Sequence, residues 1–269
     1  MRSMTRLLIQ IYEIQTPAEA ETLIGLGVDH IGSVLPPEIP WKIAALKDTI
    51  AVVQASGCKS CLIPLFGAPE TVLRALDYYC PDIVHFCDAL PLGEDGAHVC
   101  DQLIALQLRV KQHFPAMAVM RSIPIALPGF AERVPTLDFG RRFESASDFF
   151  LTDTLLMGSA PSSENRQPVN GFIGITGRPC DWDMAGCLVR QSKIPVILAG
   201  GIGPANAAEA IVRTRPAGVD SCTQTNTRDA WGRNIRFRKD LAKVNRFVEA
   251  VRCAETHLSS NAERTLIHV

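Results

Sequence analysis

The chain has 269 residues, 47% of them hydrophobic, and its 27 basic and 28 acidic side chains leave a formal net charge of −1. That balance excludes recognition of nucleic acid or an anionic membrane surface through bulk charge, and the length suits one large domain with a substantial core. No apolar run reaches the roughly 18–20 residues of a membrane span, and the apolar stretch after the basic start is too short for a secretory signal, so a cytoplasmic protein with no membrane partner is expected.

Strand-like runs recur along the chain at Leu7–Tyr12, His30–Leu35, Ser60–Phe66, Ile83–Cys87, Met117–Ile123, Phe149–Thr152, Ile194–Ala199 and Val219–Cys222. Between them lie segments with apolar residues at helical spacing, such as Ile43, Leu46, Ile50 and Val53; Val99, Leu103, Leu106 and Val110; and Leu241, Val244, Val248 and Val251. Eight strands alternating with helices predict a parallel sheet closed into a single (β/α)₈ barrel over residues 1–258, with a polar tail at 259–269. A doubly wound open sheet is the alternative. The nine cysteines are scattered and odd in number, which fits a reducing compartment, and Cys58-Lys-Ser-Cys61 has no second pair to complete a metal site. No metal and no cofactor is expected.

The run Ile194–Gly203 is apolar and then ends abruptly in glycines, and Gly218–Cys222 follows one helix later. Two neighbouring parallel strands that open into glycine-rich backbone form a cup for a phosphate, and in a barrel this site follows strands seven and eight. Gly200, Gly201 and Gly203, with Thr223 and Gln224 on the next strand, are the candidate phosphate ligands. Asp153 ends strand six beside Phe149, Phe150 and Leu151, where desolvation can raise a carboxyl pKa for acid work; a cap for the following loop is its structural alternative. His85, on strand four, titrates in the range of a base but equally fits a satisfied core histidine. Cys87 shares its face. Arg121 at the end of strand five suits a carboxylate or a second phosphate, or a salt bridge at the mouth. Arg178 is placed to reach a ligand, Asp181 to cap the helix that follows, and Arg228, Arg233, Arg236 and Arg238 to supplement phosphate binding or face solvent.

Several segments in this order resemble phosphoribosylanthranilate isomerase, the barrel enzyme of tryptophan biosynthesis. They are Gln10-Ile-Tyr-Glu-Ile-Gln with Leu26–Ser33, then Pro81–Cys87, Leu151-Thr-Asp153, Gly174–Trp182, Leu198-Ala-Gly-Gly-Ile-Gly-Pro-Ala-Asn206, Gly218–Ser221 and Lys239-Asp240. The resemblance implies an Amadori rearrangement of a phosphoribosylamine. In that family a strand-one cysteine takes the C2 proton, and a strand-six aspartate, matched here by Asp153, protonates the ring oxygen. The cysteine position is Tyr12, whose phenol with an ordinary pKa of about 10 is a poor base, so Tyr12 is read as a ligand contact, a polariser or a plug of the barrel. Alternation places Tyr12 inward with Gln10 and sends Glu13 toward the helices or the loop. The arginine that holds the anthranilate carboxylate is missing from Pro36–Trp41, where Glu38 would repel a carboxylate.

These departures predict an intramolecular oxidoreductase of sugar-phosphate isomerase type with an altered, small phosphorylated substrate, working as a monomer or homodimer. Asp153 is the acid, with His85 or Tyr12 as base or polariser. A non-catalytic phosphate-binding barrel that serves binding or assembly is the alternative. The two differ at the mouth: an enzyme keeps an open pocket joining Asp153 to the Gly200–Gly201 turn, whereas a scaffold fills it with Tyr12, Trp41 or the 155–171 loop.

Overall fold

A computed structural model describes residues 6–37, 40–93, 96–157 and 167–267, with side chains to residue 259. Eight parallel strands close into one barrel in chain order: β1 (Leu8–Ile11), β2 (His30–Leu35), β3 (Lys59–Pro64), β4 (Ile83–Phe86), β5 (Ala118–Ala126), β6 (Phe149–Leu155), β7 (Val196–Leu198) and β8 (Gly218–Ser221). The ring is sealed where Leu8–Ile11 of β1 pair with Gly218–Ser221 of β8. That pairing rules out the open-sheet alternative.

Helices α1 (Pro17–Gly25), α2 (Ala44–Ala55), α3 (Pro69–Tyr79), α4 (Gly96–His113), α5 (Thr136–Phe143), α6 (Trp182–Gln191), α7 (Ala207–Thr214) and α8 (Leu241–Ile267) surround the barrel. The segment from Ser259, expected as a tail, continues α8. Strand β8 is followed by a feature the sequence did not suggest, an antiparallel hairpin of β9 (Asn226–Arg228) and β10 (Asn234–Lys239). No described helix is long and apolar enough to cross a membrane.

Capping chemistry explains several boundaries. Thr16 accepts from Glu19 N at the start of α1, which also has Pro17 in its first turn. Asp181 accepts from Asp183 N and Met184 N, as its position predicts, and α6 starts at Trp182 rather than near Met184. The apolar stripes pack as their spacing predicts on α2, where Leu46, Ile50 and Val53 are buried. On α4, Leu106 and Val110 are buried as their spacing predicts, and only the first turn departs, with Cys100 buried in place of the exposed Val99. On α8, Val244, Phe247 and Val251 are fully buried against β1 and α1 residues, whereas Leu241 at its first turn is 45% exposed.

This contrast gives a test of the packing. Phe247→Ala should cost about 3–5 kcal/mol in urea unfolding, as for other buried aromatics, and Leu241→Ala should stay within about 0.5 kcal/mol of the parent. Equal losses would contradict the burial pattern of α8.

Candidate active site

At the carboxyl ends of the strands two clefts meet. The larger, with a cavity volume of about 60 Å³, is lined by Tyr12, Val34, Ile63, Leu65, His85, Cys87 and Leu151, under a cover of Val169, Phe172 and Ile173. The smaller, about 30 Å³, is lined by Thr176, Gly177, Gly200, Gly201, Thr223 and Gln224. Four residues belong to both: Asp153, Ile175, Asp220 and Cys222. The mouth therefore has an apolar end over β2–β4 and a glycine-rich end over β7 and β8, with two carboxyl groups between them.

The cover is anchored by backbone hydrogen bonds from Ile173 N to Cys87 O (2.9 Å) and from Ala89 N to Gly171 O (2.8 Å). Gly174 then passes directly over Asp153: a Cβ there would lie 2.3 Å from Asp153 Oδ2. Only glycine admits this approach at φ +106°. Residues 158–166 of the 155–171 loop, and Glu38, lie outside the described residues. Trp41 does not plug the mouth. Its ring packs edge-on against Tyr78 of α3 (5.7 Å between centroids) in the helix layer.

Burial pushes the Asp153 carboxyl up to about 7, against the opposing hydrogen bond from Thr154 N. Burial, reinforced by the charge of Asp153, pushes Asp220 up to about 8. Asp220 accepts from Gln10 Nε2 at 3.3 Å. Neither carboxyl forms a salt bridge among the described residues, so desolvation is not offset by a cation in contact. Asp220 was within view in the sequence as part of Gly218–Ser221. Only the closed barrel, which turns Asp220 of β8 inward to line the same two clefts as Asp153 of β6, shows why it matters.

Tyr12 turns inward as alternation predicts. Its ring lies on Gly32, where an added Cβ would be 2.1 Å from Tyr12 Cδ1. Its hydroxyl meets His85 Nδ1 at 2.8 Å, and Ser122 Oγ meets His85 Nε2 at 2.8 Å. Both nitrogens of the imidazole are thus occupied. Burial, then the charge of Arg121, lowers His85 to about 3, and burial raises the Tyr12 phenol. Both shifts run against the expectation of a base at either position, since burial disfavours the imidazolium of His85 and the phenolate of Tyr12. Burial likewise raises the Cys87 thiol and keeps it neutral at the cleft wall.

Other expectations are also corrected. Arg121 points away from the mouth into the helix layer, where it is fully buried over Phe143 and bound to Asp88 Oδ2 (2.9 Å) and Asp88 O (2.7 Å). Its neighbours Met120 and Ser122 are the inward residues of β5, so strand parity excludes Arg121 from the barrel interior. Arg178 is exposed and lines neither cleft; its backbone carbonyl accepts from Thr154 Oγ1. Gly203 is not a phosphate donor, because its N–H is taken by Asn206 Oδ1 at 2.9 Å. Gly200 and Gly201, at φ +85° and +65°, keep their N–H groups without an acceptor among the described residues. Gln224 lines this end and donates through Nε2 to Gly177 O (2.7 Å), tying the β8 turn to the segment before α6.

Glu13 reverses the expectation from alternation. At φ +67° its side chain swings to the mouth, is 1% exposed, and accepts from Arg236 Nε (2.6 Å), Asn226 Nδ2 (2.9 Å) and Phe237 N (3.2 Å). Burial opposes its charge, but Lys239 and Arg236 hold its carboxyl below the ordinary value. Of the basic run, Arg236 is therefore a clamp of the hairpin on β1, and Arg233 pairs with Asp229 within the hairpin. Five described non-glycine residues have positive φ; Cys80 and Arg215 end α3 and α7, and Glu13, Ile175 and Phe237 cluster at the mouth. Left-handed backbone at a β-branched or bulky residue costs about 1–3 kcal/mol and persists where surrounding structure holds it, typically at functional sites.

The carboxyl pair has a stability signature. With folded pKa values raised above the ordinary 3.8, the folded state retains protons that the unfolded chain loses, so stability falls as pH rises from about 4 to 8. Asp220→Asn should raise the unfolding midpoint at pH 8.5 by several degrees and leave it nearly unchanged at pH 4.5, measured by thermal melts across pH. A midpoint gain equal at both values would remove Asp220 as the source.

No family profile matches the chain. Among curated proteins it is similar to N-(5'-phosphoribosyl)anthranilate isomerase 1 of Methanosarcina mazei, 28% identical with 96% of this chain and 100% of that protein covered. Among solved structures it is similar to phosphoribosyl anthranilate isomerase of Thermotoga maritima, with TM-score 0.63, 17% identity, and 91% of this chain and 98% of that chain covered. It is also similar to the Amycolatopsis orientalis BexX/CysO complex, with TM-score 0.61, 16% identity, and 95% and 92% covered. At these identities the structures establish the fold.

Proposed function

Because this chain is a divergent member of the phosphoribosylanthranilate isomerase family, we propose that it is an isomerase acting on a phosphorylated, sugar-like metabolite by an Amadori-type proton shift. The observation that carries this reading is the position of Asp153, which lines both the glycine-rich cleft and the apolar one. A substrate phosphate in the backbone cup of Gly200, Gly201 and Thr223 leaves its reacting sugar carbons level with Asp153 and Asp220.

The two carboxyls divide the work. Asp153, when protonated, donates to the ring oxygen as the C1–O bond breaks and the substrate nitrogen supplies an electron pair to form the iminium. Asp220, when ionised, removes the C2 proton, and the C–H electron pair flows toward the iminium nitrogen to give an enolamine. Return of that proton to C1, with loss of the C2 hydroxyl proton to Asp153, yields the aminoketose and restores both groups. The pair shares a proton near neutrality, and turnover draws on the less populated arrangement, with the proton on Asp153, because Asp220 is raised further (about 8) than Asp153 (about 7). Tyr12 and His85 act as positioning residues: the Tyr12–His85–Ser122 chain shapes the floor of the cleft below the reacting carbons.

A second reading, a phosphate-binding barrel without turnover, is favoured by Tyr12, whose ring is seated on Gly32 where the family places its cysteine. Asp153→Asn separates the two. For an isomerase it should lower kcat/KM on an N-substituted 5-phosphoribosylamine by about 10²–10⁴-fold with phosphate affinity retained. Unchanged turnover would remove Asp153 as the acid, and no turnover by the parent on any such amine would leave the binding barrel.

A further inference from the structure

We infer that the group attached to the substrate's sugar nitrogen is uncharged and apolar, an aryl or alkyl group without a carboxylate. This rests on the phosphosugar reading above and concerns the opposite end of the same ligand. If the phosphate occupies the glycine-rich end and the sugar lies by Asp153 and Asp220, the remaining substituent extends into the cleft over β2–β4. The wall there is Val34, Ile63, Leu65 and Leu151, and the cover is Phe172 and Ile173.

A carboxylate in this cleft would lack a receptor. Among the described residues no lysine or arginine lines it, and the charged or ionisable acids that do are Glu13, Asp153 and Asp220. Among the described residues, the basic side chains nearby are committed elsewhere. Arg121 is turned into the helix layer on Asp88. Lys239 Nζ donates to Cys222 O and Asn226 Oδ1. Arg236 is neutralised by Glu13; its Nη2 has no partner, but it lies outside the cleft lining. A carboxylate carried here would lose its hydration with no lysine or arginine in the described lining to pair with, and would stand beside the carboxyls of Asp153 and Asp220. An apolar ring or chain would instead replace water along apolar walls, the driving force common to most ligand pockets.

Non-reactive probes test this directly. They are N-phenyl-1-amino-1-deoxyribitol 5-phosphate, its ortho-carboxy counterpart, and ribitol 5-phosphate, titrated calorimetrically into the full chain. The phenyl compound should bind about tenfold or more tightly than the carboxyphenyl compound, and more tightly than ribitol 5-phosphate. In Leu65→Arg, which sets a cation in the apolar wall, the preference should fall or invert. Equal or tighter binding of the carboxyphenyl compound by the parent overturns the inference; if Arg236→Gln then abolishes that binding, Arg236 Nη2 is the receptor. Binding of ribitol 5-phosphate with no gain from the phenyl group overturns the inference and leaves the phosphosugar reading standing. Failure of all three to bind overturns both.

Discussion

Two carboxyl groups, Asp220 buried and Asp153 half-buried, sit at the mouth of this barrel without a cation in contact, and the rest of the site is arranged around that cost. Asp153 reaches the end of β6 and Asp220 the end of β8, and closure of the ring by β1 against β8 brings both toward one axis. Each is taken out of water by loops as much as by the barrel: Gly174 crosses Asp153 at a distance no other residue permits. A group that is expensive to ionise is useful when a reaction must hand a proton over and take one back near neutral pH.

The charged groups that do find partners lie one step outward. Glu13, Arg236, Asn226 and Lys239 form a connected set that joins β1 to the β9–β10 hairpin. This set fixes the hairpin over the mouth through two residues in left-handed backbone, Glu13 and Phe237. Neither of its two cations lines the clefts: Arg236 is spent on Glu13, and Lys239 on Cys222 O and Asn226 Oδ1. The outcome is polarity at the glycine turn, proton-bearing carboxyls in the middle and apolar wall beyond.

Much of this was legible in the chain. The eight strands emerge close to their expected places because β-branched runs bounded by Gly, Pro and Asp alternate with helical stripes. Gly200–Gly201 and Asp153 stand out because their residue types at strand ends have few other uses. What could not be read depended on side-chain direction or distant partners. Glu13 leaves the alternation of β1 through a positive φ stabilised by Arg236, 223 residues later in the chain. Arg121 was misplaced although parity was available: with Met120 and Ser122 inward, the residue between them faces the helices. His85 and Tyr12 look like a base and a phenol by type, yet burial pushes their pKa values apart, His85 down and Tyr12 up. Asp220 has no distinguishing sequence context. Its role follows from desolvation next to another carboxyl.

Desolvation keeps a proton on this carboxyl pair under neutral conditions. NMR titration of the Asp153 and Asp220 carboxyl carbons, assigned through the single Asn variants, measures this without reference to any substrate. The pair should retain a proton above about pH 6, with apparent midpoints near the 7 and 8 that their desolvation implies. Both carboxyls titrating together below about pH 5, as solvent-exposed aspartates do, would contradict it.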